Sequence, residues 1–427
     1  MSPTPEIKGW CPTTHRPMPS NDGLLIRAKV IGSRIAAGQL AAIAAISADC
    51  GNGLVDLSQR AQLQLRGVSD ATLAEARRRL GAAGLLPSDA FAERVTNIVA
   101  SPLAGLEARA AFDSNALARD LARALQADER LRALPAKFLF AIDGGGDLAI
   151  DDIDADIRIQ GAAEGRVAVR AAGAPDRAVI VDERDAVVTA VRLAHAFIAL
   201  RGEDFELRRM SRLIAVLGYD ALLHEARLAA QNHEQRASAR SDFLGARETG
   251  DVCFAGVAAP SGRWRAQELS ELAEIAAAHG RGELRLTPWR AFLLPAQTPD
   301  AAQRMIATAR ILDLIVSHDD PRLALVACPG APECPQAQGE TRTHLARLAP
   351  LAQKLAGRDG VGLHVSGCAK GCARPGAAPV TLVANGGLFN LIENGRASDA
   401  PLLQGLDIDA VERALSTRAK EPTCPTP

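Results

Sequence analysis

The chain has 427 residues, 48% of them hydrophobic, and is long enough to bury the cores of more than one domain. Its 49 basic and 50 acidic residues leave a net charge of −1, which gives no reason to expect nucleic acid or an anionic membrane as a partner. The longest apolar runs, such as residues 133–142, are too short to span a membrane, and the N-terminus MSPTPEIKGW has no apolar signal-peptide core. We therefore expect a cytoplasmic protein.

An internal repeat organises the chain. Residues 33–58 (SRIAAGQLAAIAAISADCGNGLVDLS) align without a gap with residues 262–287 (GRWRAQELSELAEIAAAHGRGELRLT) at a constant offset of 229. Each copy has apolar residues at helical spacing, a Gly-x-Gly turn and an alternating strand. With the preceding strand, GLLIRAKV (23–30) or VCFAGVAA (252–259), each copy predicts a strand–helix–strand unit. Two unrelated alanine-rich helices would not align at both the glycines and the strand.

The remaining segments predict further helices and strands in two pseudo-equivalent halves of an α+β fold. Between the repeat copies, the patterns predict strands within 134–142, 148–159 and 165–172, followed by helices over 185–236. After the second copy they predict helices at 299–310 and 341–356 and strands near 322–327 and 361–365. The polar stretch around 232–248 is the best linker candidate.

Four of the eight cysteines form two close pairs: Cys328 with Cys334 in ACPGAPEC, and Cys368 with Cys372 in HVSGCAKGC. In a reducing cytosol, clustered cysteines indicate metal or redox chemistry rather than disulfides. A 4Fe–4S cluster needs four converging thiolates, and the glycines and prolines around both pairs can form the tight turns this requires. Structural zinc is the alternative, although zinc-binding pairs usually have two to four intervening residues. We assign no chemistry to the lone cysteines, which are Cys11, Cys50, Cys253 and Cys424.

The spacing C-x5-C followed by a glycine-rich C-x3-C, together with the doubled unit, resembles the sulfite and nitrite reductase haemoprotein superfamily over about residues 8–402. The resemblance implies duplicated ferredoxin-like half-domains and two sulfite-reductase-like α+β domains. It also implies that the four paired cysteines hold a 4Fe–4S cluster, with Cys372 in the position that bridges to sirohaem iron in the reductases. The implied domains are 8–86 and 249–305 (half-domains), 87–236 and 306–402 (α+β domains, the second carrying the cluster), and 403–427 (C-terminal segment and tail).

The reductases place four basic residues around the substrate anion, and only two of the four positions are basic here. By resemblance, Arg27 in LLIRAKV and Lys137 in LPAKFL keep their charge, whereas Thr96 and Leu139 replace the other two basic residues. A small inorganic anion depends on such charges for binding and proton delivery, so a sirohaem-dependent sulfite or nitrite reductase is the less favoured alternative. Arg94, two positions before Thr96, is a candidate to compensate.

The blocks GWCPTTHRPMPSNDGLLIRAK, LSQRAQLQLRGV, LPAKF, TPWR, CPGAPEC and HVSGCAKGCA resemble, in order, the precorrin-3B synthase family within that superfamily. The resemblance implies an O2-dependent hydroxylation of precorrin-3A at the meso carbon between rings A and D, with γ-lactone formation, in aerobic cobalamin synthesis. It implies a 4Fe–4S cluster and a mononuclear non-haem iron, without sirohaem, and NADH as the reductant. No Gly-x-Gly-x-x-Gly motif opens a helix, so we expect NADH to bind a separate electron donor. A zinc-stabilised binding module without catalytic activity is the second alternative.

Precorrin-3A carries many carboxylates, which arginine binds well because its planar fork keeps its charge when desolvated. The run R-A-Q-L-Q-L-R predicts one strand with positions 60, 62, 64 and 66 on the same face, although that face is alternatively a solvated outer one. The residues that we expect to bind the tetrapyrrole carboxylates are Arg27, Arg60, Gln62, Gln64, Arg66, Lys137 and Arg290. His364 lies near the cysteines, but the eight histidines form no i, i+3 or i, i+4 helical pair, so ligands of a mononuclear iron are not assigned.

Overall fold

A computed structural model describes residues 10–233, 242–357 and 359–420. Residues 234–241 of the predicted linker, and Cys424, lie outside these residues. Within the described part of the chain, no helix combines the length and apolar character needed to span a membrane.

The described residues form 21 strands. In chain order they are β1 (Met18–Ser20), β2 (Gly23–Ala28), β3 (Arg34–Ala36), β4 (Leu54–Leu57), β5 (Leu63–Val68), β6 (Ile98–Ala100), β7 (Phe140–Asp143), β8 (Ile157–Gly161), β9 (Val167–Ala171), β10 (Arg177–Val181), β11 (Gln231–Asn232), β12 (Gly245–Thr249), β13 (Val252–Ala258), β14 (Arg263–Arg265), β15 (Glu283–Leu286), β16 (Ala291–Ala296), β17 (Leu325–Ala327), β18 (Leu363–Ser366), β19 (Ala378–Asn385), β20 (Leu388–Gly395) and β21 (Leu403–Leu406).

The α-helices are α1 (Ala37–Cys50), α2 (Asp70–Ala82), α3 (Ala90–Val95), α4 (Ser114–Ala127), α5 (Glu183–Arg201), α6 (Met210–Leu217), α7 (Tyr219–Ala226), α8 (Ala266–His279), α9 (Pro299–Ile311), α10 (Leu345–Lys354) and α11 (Ile408–Arg418). Short 3-10 turns lie at Glu129–Ala133, Ala163–Gly165, Pro260–Gly262 and Pro321–Ala324.

The two repeat copies exchange a strand. One sheet has the order β1-β2-β5-β4-β14 and another has the order β12-β13-β16-β15-β3, so each contains one strand from the other copy. The exchanged strands, Arg34–Ala36 and Arg263–Arg265, keep the offset of 229 seen in the sequence. Both exchanged pairings are antiparallel. The repeat is therefore a structural duplication, as predicted, and its two units share a pseudo-two-fold relationship.

The repeated helices form the centre of the largest hydrophobic core. Leu40, Ile43 and Ile46 of α1 are fully buried, as the apolar spacing predicts. The corresponding face of α8 buries Leu269 and Leu272, and α1 packs directly against α8. The apolar surface that each helix presents is thus removed from water by its pseudo-symmetric counterpart.

The other two sheets share a second topology. In one sheet β6, β7 and β8 are parallel neighbours, followed by the antiparallel strands β9, β10 and β11. In the other, β17, β18 and β19 are parallel, followed by the antiparallel strands β20 and β21. The duplication therefore extends beyond the ferredoxin-like units. Strand β21 is the edge strand of the last sheet, and helix α11 packs against β20 and β21. Residues 403–420 therefore belong to the second α+β domain rather than forming the separate segment expected from the sequence.

Two strand predictions were too long. The predicted strand at 148–159 forms β8 only from Ile157. The preceding residues form a loop, in which the carbonyls of Ile150 and Ile153 accept hydrogen bonds from the Arg158 side chain instead of from a neighbouring strand. The predicted strand through R-A-Q-L-Q-L-R begins only at Leu63, because Ala61 has a left-handed φ of 50°. Residues 60, 62, 64 and 66 therefore do not form one continuous strand face.

Candidate functional site

The two cysteine pairs meet at one sheet edge. Cys328 directly follows β17, and Cys368 and Cys372 follow its parallel neighbour β18. Carboxyl ends of parallel strands meet at the same edge, so the two loops emerge side by side. The backbone N–H of Cys328 donates to the Val365 carbonyl at 3.3 Å, which fixes the register of the first loop against the second strand.

Glycines allow close contact between the cysteine loops. Gly330 has a φ of 71°, and a Cβ on it would lie 2.3 Å from Thr341 Oγ1. A Cβ on Gly367 would lie 2.7 Å from the Cβ of Ala337, on the other loop. A larger residue at Gly367 would push the two loops apart, and one at Gly330 would displace Thr341 within the first loop, so packing requires glycine at both positions.

Backbone amides and neighbouring thiols act on the cysteine sulfurs. The N–H of Gly367 donates to Cys328 Sγ at 3.2 Å. Burial raises the pKa of the Cys328 thiol, as do Cys334 and Cys368 nearby, while the backbone N–H groups of Gly367 and Gly330 oppose the rise. Burial is the main cause that raises the pKa of Cys372 to about 11. The charge of Lys370 lowers this pKa, and the three other clustered cysteines raise it. Each clustered cysteine is thus close enough to its partners to interact electrostatically.

The donor set fits an iron–sulfur cluster. All four sulfurs are free thiols. A single zinc ion with bonds of about 2.3 Å would hold its thiolates roughly 3.8 Å apart. In residues 10–233, 242–357 and 359–420, no group of three or more His, Cys, Asp or Glu side chains is arranged around a single-ion position. Four thiols on adjacent loops, with an N–H donor already on Cys328 Sγ, suit the four thiolate ligands and the negative sulfurs of a cluster.

A group of buried cations lies on the first repeat sheet. Arg27, in β2, is 4% exposed, and its Nε has no hydrogen-bond partner. Arg60 donates from Nη2 to the Lys137 carbonyl at 3.1 Å, while its buried Nη1 has no partner. Burial is the main cause that lowers the pKa of Arg60, and the charge of Arg27 lowers it too. Two predicted ligand-binding arginines are therefore brought together with free donors, next to the exposed Lys137.

Sequence reasoning missed Lys29, which belongs to the same group. Lys29 is 4% exposed, and burial and Arg27 are the two largest causes that lower its pKa to about 7. The alternation in LLIRAKV places Arg27 and Lys29 on one side of the chain, which was the available signal.

Gln62 and Arg66 have structural partners instead of free donors. The Gln62 amide donates to the Val30 carbonyl at 2.8 Å and accepts from the Val30 N–H at 3.1 Å. Arg66 is 3% exposed and donates to Asp22 at 2.9 Å and Asp56 at 3.2 Å. Both side chains are therefore engaged within the fold, and their binding of tetrapyrrole carboxylates stays a prediction.

The remaining predicted residues lie along one polar row. Gln64 is half-buried and lies opposite both Arg27 and Asp56 in the sheet, and Asp56 in turn lies opposite Arg263. Arg290 has a φ of 62° and lies near Asp56. Burial lowers the pKa of Arg290, and the charge of Asp56 opposes that effect. The row therefore leads from the cation group to the ion pairs around Asp56.

These ion pairs connect the row to the first cysteine loop. Asp56 accepts from Arg263 Nε at 2.8 Å, and Arg263 Nη1 lies 2.5 Å from Glu333, the neighbour of Cys334. Burial raises the pKa of Asp56, but the hydrogen bond and charge of Arg263 outweigh it and hold that pKa below its usual value. Ser20 also donates to the Glu333 carbonyl at 2.6 Å. The sheet that carries Arg27 is thus joined to the loop that carries Cys334.

Thr96 and Leu139 are both buried. The Thr96 hydroxyl donates to the Ala92 carbonyl at 2.7 Å within its own helix end, and Leu139 is 2% exposed in the largest core. Arg94, the candidate to compensate, donates to the carbonyls of Leu134, at 3.2 Å, and Arg132.

His364 is buried beside the second cysteine loop, and neither of its ring nitrogens has a hydrogen-bond partner. Burial, followed by the charge of Arg374, lowers its pKa to about 4, so the ring is neutral at pH 7. No second histidine and carboxylate join it in the described residues to form a single-ion site.

Family models match both types of domain. The nitrite/sulfite reductase ferredoxin-like half domain matches residues 16–83 and 246–310, and the nitrite and sulphite reductase 4Fe-4S domain matches residues 91–234. Between them they match more than half of the chain. A ferredoxin–nitrite reductase of Synechococcus elongatus is 30% identical over 358 residues, which cover 77% of this chain and 70% of that protein. The chain belongs to the nitrite and sulfite reductase superfamily.

Two further similar proteins match most of the chain. A precorrin-3B synthase of Sinorhizobium sp is 29% identical over 412 residues, which cover 92% of this chain and 84% of that protein. The solved structure of the Mycobacterium tuberculosis NirA protein superposes with a TM-score of 0.70 at 20% identity, over 95% of this chain and 82% of that one. The second likeness establishes the shared fold.

The superfamily's 4Fe-4S domain model matches the first α+β domain, residues 91–234, which contains no cysteine. The shared topology of the two α+β sheets explains this match. Cys328 directly follows β17, and Ser101 directly follows the equivalent strand β6. The same loop position thus carries a cluster ligand candidate in one half and a serine in the other.

Proposed function

We propose that the protein is an oxygen-dependent monooxygenase of the precorrin-3B synthase type. Its substrate would be precorrin-3A, hydroxylated at the meso carbon between rings A and D, with an acetate side chain closing a γ-lactone. One atom of O2 enters the product, and the other becomes water with two electrons from NADH and two protons.

One observation carries this choice over a reductase. Two of the positions that are basic in the reductases hold Thr96 and Leu139, and their side chains are engaged in a helix end and in the core. Arg94, the one candidate for compensation, is engaged with backbone carbonyls. At these two positions a small inorganic anion would therefore not meet the positive charges that the reductases supply. The relative of Sinorhizobium sp, named a precorrin-3B synthase, supports the same choice.

In this proposal the chain's own residues bind and orient the macrocycle. Arg27, Arg60 and Lys137 would receive tetrapyrrole carboxylates, because Arg27 and Arg60 have buried N–H groups without partners and Lys137 is exposed beside them. Gln64 and Arg290 would extend this surface along the polar row toward the cysteine loop.

Cys328, Cys334, Cys368 and Cys372 would hold the 4Fe–4S cluster, which when bound supplies electrons one at a time. The reductant would reach it through a separate NADH-dependent donor. The proposal also includes a mononuclear non-haem iron, for which we assign no ligands.

An absorption spectrum of anaerobically purified protein, with iron, sulfide and zinc analysis, tests the proposal. We expect a broad iron–sulfur shoulder without sirohaem bands, and iron in slight excess over sulfide. Strong sirohaem bands would identify a sulfite or nitrite reductase, the alternative that the 30% identical nitrite reductase favours. Zinc without iron would identify a structural zinc module.

A further inference from the structure

Lys29 is a buried lysine without an ion pair. It follows β2 directly, and its Nζ lies 3.5 Å from Asn97 Oδ1, at the long limit of a hydrogen bond. No carboxylate of the described residues forms a salt bridge with it. Burying an ammonium group in this way is costly, and an apolar residue would fill such a position more favourably if packing alone mattered.

The surroundings of Lys29 add positive charge. Arg27 and Arg60 act on it as like charges, while Glu93 and Cys11 act in the opposite direction. Glu93 is 1% exposed and already accepts hydrogen bonds from the backbone N–H groups of Thr14, at 2.7 Å, and His15, at 2.9 Å. The carboxylate that could balance Lys29 is thus held by another segment of the chain.

The group therefore has more donors than acceptors. Arg27 Nε and Arg60 Nη1 are buried without partners, and Lys29 has one long bond. Arg60 reaches the exposed loop at Lys137 through its other nitrogen, so the group borders the protein surface. An anion entering beside Lys137 would supply the acceptors that the fold leaves out.

We propose that Lys29 completes an anion cradle with Arg27 and Arg60, that this cradle takes one carboxylate of the tetrapyrrole, and that Lys29 takes up a proton from solvent when the carboxylate binds. The identity of the ligand rests on the proposed function. The role of Lys29 does not follow from it, because the family resemblance assigned no part to this residue.

The charge state of Lys29 supports the coupling. With a pKa lowered to about 7 by burial and by Arg27, the amine is mostly neutral near pH 8. A carboxylate placed beside it favours the ammonium form, so binding and proton uptake are linked.

The test is calorimetric titration of the purified full-length protein with uroporphyrin III, a stable polycarboxylate tetrapyrrole, near pH 8 in two buffers of different ionisation enthalpy. We expect the wild type to take up close to one proton more than Lys29→Met, and the variant to bind about 10-fold more weakly, as the loss of a charge-assisted contact implies. Lys29→Arg should bind within about 3-fold of wild type without that uptake, because arginine stays charged. Lys354→Met, at an exposed lysine of α10, is the matched control and should equal the wild type.

Equal affinity and equal proton uptake in wild type and Lys29→Met would overturn the cradle and leave tetrapyrrole binding intact. No binding of uroporphyrin by the wild type would instead overturn the tetrapyrrole as ligand. Parallel titrations with acetate and with nitrite distinguish the sources of the anion: proton-coupled binding of either alone, abolished in Lys29→Met, would assign the group to a small anion and contradict the proposal. If Lys29→Met does not fold, the comparison of wild type with Lys29→Arg decides the proton uptake.

Discussion

The carboxylate of Asp56 accepts a 2.8 Å hydrogen bond from Arg263, a residue 207 positions away in the other copy of the repeat. Arg263 also pairs with Glu333, which precedes Cys334. One chain of ion pairs therefore connects both repeat units with the cysteine loop. The sheet that carries the cation group and the loop that carries Cys328 and Cys334 are held together through Arg263.

Asp56→Ala should destabilise the fold strongly. It removes the carboxylate shared by Arg66 and Arg263, which are both largely buried, and breaking a buried pair typically costs about 3–5 kcal/mol. Chemical denaturation of both proteins measures the difference. The control is Asp49→Ala, which removes an exposed pair with Arg79 and should cost less than about 1 kcal/mol. Equal losses in the two variants would contradict the role of Asp56.

Arg60→Ala should weaken ligand binding, whereas Arg66→Ala should lower the stability of the fold. Arg60 has a buried nitrogen without a partner, so its loss should weaken uroporphyrin binding by roughly 10-fold and leave the iron–sulfur absorption intact. Arg66 is bound to Asp22 and Asp56, so its loss should lower the free energy of unfolding by about 3 kcal/mol. Titration and denaturation of both variants check this. Unchanged binding in Arg60→Ala would contradict the role of Arg60 in binding the tetrapyrrole.

Lys29 should make the free energy of unfolding depend on pH. Its pKa is about 7 in the folded protein and ordinarily 10.5, so between these values the unfolded chain binds more protons and stability rises with pH. Relative to Lys29→Met, the wild type should gain about 2 kcal/mol between pH 7 and pH 9. Denaturation curves of both proteins at several pH values measure the gain. A constant difference would show that Lys29 keeps its charge over this range.

Cys368→Ser should abolish the iron–sulfur chromophore, since it removes one of four thiolates at the sheet edge. Cys253→Ser is the matched control, because Cys253 is a lone, half-buried cysteine in β13 and should retain full iron and sulfide. Iron and sulfide analysis of both proteins tests whether Cys368 is a ligand of the cluster. Full iron and sulfide in Cys368→Ser would exclude the proposed ligand set.

The repeat could be predicted because both of its copies kept the same residue types at the same spacing. The exchange of β3 and β14 could not, since a strand of three residues carries no signal for the sheet that it joins. The cysteine pairs could be recognised because metal or redox chemistry needs specific residues at short separations. The parallel strands β17 and β18 then bring the two pairs to one sheet edge.

The geometry of the segment from Arg60 to Arg66 was predicted less well. The polar alternation from Arg60 to Arg66 gave no sign that Ala61 would adopt a left-handed φ, which separates Arg60 from the strand. The pairing of Arg66 with Asp22 and Asp56 depends on contacts across strands, and the sequence does not show these. Lys29 could have been found from its alternation with Arg27, but its burial and missing ion pair are properties of the fold.

The most direct test of the proposed function is incubation of the purified protein, with a reducing system supplied by NADH, with precorrin-3A under 18O2, followed by mass spectrometry of the product. The account predicts a hydroxylated γ-lactone that contains one 18O atom. Unchanged precorrin-3A, together with reduction of nitrite or sulfite by the same preparation, would contradict it.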